Sequence, residues 1–92
     1  MLSPHTNEAP NDAEALALAA LAATLTDERR ALRFLDLTGL DADELRARAG
    51  ERSLLAATLA FLEAHEPDLV EVAQIIGTTP ELMVMARMRL EQ

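Results

Sequence analysis

The chain is cut at short intervals by residues that stop one helix and start the next. Gly39 divides ALRFLDLT from LDADEL, Pro67 interrupts EAHEPDLVE, and Gly77 divides VEVAQII from TTPELMVMAR. Glycine after an apolar periodic segment supplies the left-handed residue that closes a helix. Proline disfavours helical geometry in the residue before it, yet suits the first turn of a new helix. Between these stops the chain is rich in leucine and alanine, both strong helix formers, and β-branched residues are few outside Val70–Ile76. Aromatic residues make up 2%, Phe34 and Phe61, so the core must be built from aliphatic side chains. The expected fold is all-α: a compact bundle of five or six short helices, with a helix–glycine–helix corner at the C-terminal end.

Local signals place the elements. Residues 1–10 carry Pro4 and Pro10 and read as a disordered N-terminal tail, leaving 11–92 as a single helical domain. Asn11 or Asp12 is suited to cap the first helix, which runs to about Leu25 with Leu18, Leu21 and Leu25 as its apolar stripe. Its many alanines would let a neighbouring helix approach closely. Asp27 caps a second helix whose Leu32, Phe34 and Leu35 face inward; Gly39 stops it and Leu40 folds back. Asp41 and Glu44 form a capping box, with Leu40 and Leu45 as a hydrophobic staple, opening a short helix that ends at Gly50. A fourth helix starts near Ser53 and carries Leu54, Leu55, Thr58, Leu59, Phe61 and Leu62. The fifth turns Leu69, Val72, Ala73 and Ile76 inward. Thr79 caps the sixth, with Pro80 at its first position. LTGLDADEL and IIGTTPEL echo each other because two helix-stop-helix junctions use the same chemistry.

Composition excludes several functions. There is no cysteine, so disulfides, thiolate zinc sites and cysteine nucleophiles are ruled out. The formal net charge is −8, which repels nucleic acid phosphates and anionic membrane surfaces and favours a basic partner. The most apolar run, Ala15–Ala23, is far short of the roughly 20 residues of a spanning helix, and no secretory pattern precedes it. A cytoplasmic location without membrane contact is expected.

The segment LTGLDADELRARAGERSLLAATLAFLEAHEPDLVEVAQIIGTTPEL resembles the small bacterial proteins grouped as domain-of-unknown-function family 3572. The resemblance rests on TGLD, LRARAG, a leucine-alanine helix ending in FL, an acidic helix and a glycine-turn-helix. It covers nearly all the chain after the tail. The family is uncharacterised, so it carries over no catalytic residues.

Residues 69–90 have the rhythm of a DNA-reading helix-turn-helix, with Ala73 as the small residue, Gly77 in the turn, and Val72, Ile76 and Met83 at buried positions. The reading positions would then be Thr79, Pro80, Glu81, Val84 and Met85. Base edges are read mostly by Arg, Lys, Asn and Gln, and the preceding helix offers Glu66, Asp68 and Glu71 where phosphates need cations. A nucleic-acid binder is therefore the alternative reading and not the first. No enzyme, cofactor, metal or small-molecule substrate is expected either. His65 sits among Glu63, Glu66, Asp68 and Glu71 across a helix end, where three or four ligands would not converge. No nucleophile set or phosphate loop is visible.

Two surfaces remain. All eight basic residues are arginine. Arg29, Arg30, Arg33, Arg46 and Arg48 can form a basic zone on an otherwise acidic molecule, unless they pair with Asp36, Asp43, Glu44 and Glu51 on a solvated face. The sixth helix is apolar on both sides: Leu82, Met83, Ala86 and Leu90 share one face, and Val84, Met85 and Met88 lie on the other. The second face either fills the core or meets a protein partner or another copy of the chain. Methionine is flexible and polarisable, and serves either role. The expectation is a non-catalytic interaction or regulatory module that uses Val84, Met85 and Met88.

Overall fold

The computed structural model describes residues 10–92, which form six helices and no strand: α1 (Pro10–Thr26), α2 (Glu28–Thr38), α3 (Ala42–Ala47), α4 (Arg52–Glu63), α5 (Glu66–Ile76) and α6 (Pro80–Leu90). The expected tail at 1–10 lies outside the described residues, apart from Pro10. That residue already opens α1, so neither Asn11 nor Asp12 is its cap.

Local chemistry sets the other ends. The Asp27 carboxylate accepts from the backbone N–H groups of Arg29 and Arg30 and starts α2 one residue after α1 ends. Gly39, at φ 74°, closes α2 and donates its N–H to the Leu35 carbonyl at 2.9 Å, the single-bond left-handed cap. Asp41 and Glu44 make the reciprocal capping box of α3. That helix stops at Ala47, short of the expected Gly50, which has no positive φ. Gly77, at φ 75°, closes α5 with two bonds: its own N–H to Gln74 and that of Thr78 to Ala73. This is the Schellman arrangement. Thr79 Oγ1 then accepts from the Leu82 N–H to start α6. Both glycine junctions thus place the capping side chain two residues after the left-handed glycine.

The core is one cluster built around α4, which buries Leu54, Leu55, Ala56, Thr58, Leu59, Phe61 and Leu62. Helices α1 and α6 pack against α4 and each other, α5 packs on α1, α4 and α6, and α2 lies against α1. Phe34 of α2 is fully buried and meets Phe61 edge-to-face, with ring centroids 5.1 Å apart. Leu45 anchors α3 in the core, with Leu40 packed beside it.

The structure reassigns three helix faces. The core face of α1 is made of Ala13, Ala17, Ala20 and Thr24, with Leu21 and Ala23 at its edges, whereas Leu18 and Leu25 of the expected stripe are 48% and 38% exposed. The side of α1 that packs on α4 and α6 carries mostly small residues, and Leu18 and Leu25 are turned out while Leu21 stays buried at its edge. Leu32 of α2 was expected inside and is also exposed, because Phe34 and Arg30 hold the buried side of that helix. Leu82 leaves the inner face of α6, where Met83, Ala86 and Leu90 are buried without it.

No single described helix is long and apolar enough to cross a membrane, and the path of the chain bends by 96° between α5 and α6.

Candidate interaction surface

α6 shows two unlike sides. Met83, Ala86 and Leu90 are buried, and Met83 is fully enclosed. On the opposite side Leu82, Met85 and Met88 follow one another at three-residue steps and are 48%, 61% and 53% exposed. Val84, between Met88 and the buried side, is half-buried. The sequence-predicted set Val84, Met85 and Met88 therefore lies on the outer half of the helix. Leu82 joins it there, although the 3.6-residue period had grouped it with the core. Glu81 and Arg89 flank the stripe.

Neighbouring elements extend this surface. Leu82, Met85, Ala86 and Arg89 form one wall of a groove of about 550 Å³, and Asp12, Ala13 and Leu16 of α1 form the other. Two arginines tie α6 to its neighbours. Arg87 binds Glu63 of α4 and Glu91 just past the end of α6, and Glu63 keeps the Arg87 guanidinium more basic than usual. Arg52 of α4 reaches Glu14 of α1 and the Arg89 carbonyl, both at 3.0 Å. The stripe thus sits on a helix whose inner side is buried and whose C-terminal half is tied to α4.

A second apolar surface was not legible in the sequence. Leu18, Leu21 and Leu25 of α1 face Leu35 of α2 and Leu45 of α3 across a groove of about 440 Å³, where Arg46 is the one charged lining residue. The available signal was the absence of charge from Ala15 to Thr26. A helix apolar all round gives no moment from which to choose a core face, and the leucines rather than the alanines drew the assignment.

The predicted basic zone is dispersed. Arg30 is 2% exposed and is no surface group. Its Nε donates to Asp68 Oδ1 at 3.3 Å, one terminal nitrogen binds Glu71, and the other reaches the Ala23 carbonyl at 3.5 Å. Arg33 binds the second Asp68 oxygen and lies over the Phe61 ring, 5.3 Å from its centroid. Burial pushes the Asp68 carboxyl up, but Arg33 and Arg30 outweigh that and hold it below its ordinary value. Arg46 pairs with Asp43 and Arg48 with Glu51, both on exposed ground. Arg29 stays exposed on α2. Two of the three cations of α2, Arg30 and Arg33, are thus committed to α5, the very helix whose acids were expected to repel phosphate.

His65 stands exposed between α4 and α5, and its carbonyl accepts the first N–H bonds of α5. Among the described residues no group of three His, Asp or Glu converges.

The chain belongs to the family DUF3572, described as a protein of unknown function, whose model matches residues 10–92. No curated protein and no solved structure matches it.

Proposed function

We propose that the protein is a non-catalytic protein–protein interaction module that presents the outer stripe of α6 to a protein partner or to a second copy of itself. One observation carries this reading: Leu82, Met85 and Met88 are exposed in a row on a helix whose other side is locked into the core. Scattered exposed leucines are ordinary, but a contiguous apolar row on a rigid helix is the form in which grooves and helices recognise each other. Methionine supplies contact area that adapts to the partner's shape.

The test compares wild type with Met85→Asp/Met88→Asp, leaving half-buried Val84 in place to preserve packing. Circular dichroism establishes that both are folded. Sedimentation then reads self-association, and affinity capture from the native extract reads partners. The expected result is an association held by wild type and lost by the variant. Equal sedimentation and equal capture would overturn the reading.

The alternative, a helix-turn-helix over residues 69–90, draws on the 96° bend between α5 and α6, which suits the motif. Its chemistry is unfavourable. The exposed positions of α6 include Glu81, Leu82, Met85 and Met88, and α5 brings Glu66 and Glu71. A gel shift with duplex DNA at low salt, where electrostatic affinity is greatest, is expected to show no complex. A salt-sensitive shift would favour the alternative.

A further inference from the structure

Three of the chain's four methionines fall within Met83–Met88, and the chain has no cysteine. Sulfur redox chemistry therefore rests on methionine alone, and it is concentrated in α6. The fold divides the three. Met83 is fully buried, whereas Met85 and Met88 are 61% and 53% exposed on the opposite side of the same helix. Helical geometry accounts for the division: at about 100° per residue, Met85 and Met88 both point well away from Met83.

We infer that Met85 and Met88 form a reversible oxidation site through which peroxide converts the outer stripe of α6 from apolar to polar while the fold stays intact. The inference rests on the reading of that stripe as the interaction surface. In the reaction a thioether sulfur lone pair attacks one peroxide oxygen. The O–O bond breaks and an S–O bond forms. Sulfur loses two electrons, and the other peroxide oxygen leaves as water after a proton transfer between the two oxygens through solvent. The sulfoxide is polar, chiral and a strong hydrogen-bond acceptor, so it disrupts a methionine-rich contact, and it is reducible by methionine sulfoxide reductases. Because neither side chain is enclosed by the core, its oxidation leaves no buried polar group behind. Oxidation of Met83 would do so and would unfold the helix from its seat.

The experiment treats the purified full chain with dilute hydrogen peroxide and maps sulfoxides by mass spectrometry over time. Cleavage at Arg87 separates Met88 from the peptide that holds Met83 and Met85, and fragmentation distinguishes those two. Met85 and Met88 are expected to oxidise at least about tenfold faster than Met83, whose reaction requires local opening of the core. Retention on a hydrophobic interaction column is expected to fall with unchanged helicity, and to recover on treatment with the two epimer-specific sulfoxide reductases and a dithiol, which returns two electrons to sulfur while the oxygen leaves as water. Met85→Leu/Met88→Leu keeps the stripe apolar and is expected to retain its elution under peroxide. Equal oxidation of all three methionines, unchanged retention after Met85 and Met88 are oxidised, or loss of helicity at that stage would each overturn the inference. These readouts need no partner. If Met85→Asp/Met88→Asp abolishes an association that peroxide leaves intact, the oxidation inference fails and the interaction reading stands. If the aspartates change no association, the interaction reading fails first.

Discussion

Arg30 of α2 and Asp68 of α5 meet inside the protein, Nε to Oδ1 at 3.3 Å, with 2% and 8% of their surfaces exposed. Thirty-eight residues separate them in sequence. Glu71 and Asp27 add negative charge around the Arg30 guanidinium, and Arg33 completes the Asp68 carboxylate. Removing one member of such a pair strands the other away from water, which costs more than the intact pair contributes. Arg30→Met is expected to destabilise the protein by about 3 kcal/mol, near the lower end for buried pairs because Asp68 keeps Arg33. Arg30→Met/Asp68→Leu should lose less than the sum of the two single variants. Urea unfolding of the four proteins measures the coupling, and additive losses would mean that the pair does not act as a unit.

The same carboxylate sets an acid limit. Its pKa is held below the ordinary value of 3.8, so the unfolded chain binds the proton first as pH falls. The stabilisation is complete above that ordinary value and is lost as pH drops through the lower folded value. Stability is therefore expected to fall below about pH 4, with a shallower fall in Asp68→Asn. Thermal melts of wild type and variant between neutral pH and the acid range would show whether the two curves converge in acid.

The reassignment of the α1 faces makes opposite predictions for adjacent residues. Ala17 is fully buried and Leu18 is half exposed. Ala17→Leu must force extra volume into the seam between helices and is expected to cost about 1–3 kcal/mol or more. Leu18→Ala should cost under about 1 kcal/mol, because much of that side chain already meets water. Denaturant midpoints give both values. The reverse order would restore the leucine stripe as the core face.

At Gly39 and Gly77 an added Cβ would meet no atom within 4 Å, so the side chain itself has space. The backbone is the obstacle, at φ 74° and 75°. Gly39→Ala and Gly77→Ala are each expected to cost about 1–2 kcal/mol through left-handed strain alone. Gly50, with no positive φ and no nearby atom, is the control, and Gly50→Ala should be close to neutral. Calorimetric melts that show equal losses at all three positions would reject this account.

The limits of the sequence are visible on α6. That Val84, Met85 and Met88 lie opposite Met83, Ala86 and Leu90 was legible on any helical projection; that Met85 and Met88 are exposed was not, because the same pattern fits a second face buried in the core. Nor was the place of Leu82 legible, since that residue borders both faces, and packing against α1 and α4 decides on which side of the border it falls. The arginines were legible only in part: Arg46 and Arg48 pair with Asp43 and Glu51 on a solvated face, as the sequence allowed, whereas the commitment of Arg30 and Arg33 to α5 was not visible. All four are near in sequence, but only the packing of α5 on the bundle tells that two of them serve Asp68.

What the sequence determined alone is the punctuation: Asp27, Asp41 and Thr79 start helices, Gly39 and Gly77 end them, and Pro67 sits in the first turn of α5. Each of these acts through hydrogen bonds or dihedral limits within a few residues, so its position can be read without knowledge of any tertiary contact. What the tertiary structure decided is which side of an ambiguous helix turns inward. From Ala15 to Thr26 hydrophobicity points in every direction, and the choice passes to volume: only the alanine side fits against α4 and α6. Arg30 was likewise placed by Asp68, a partner that no local pattern names, because a charge enters a core only where its counter-charge is already waiting.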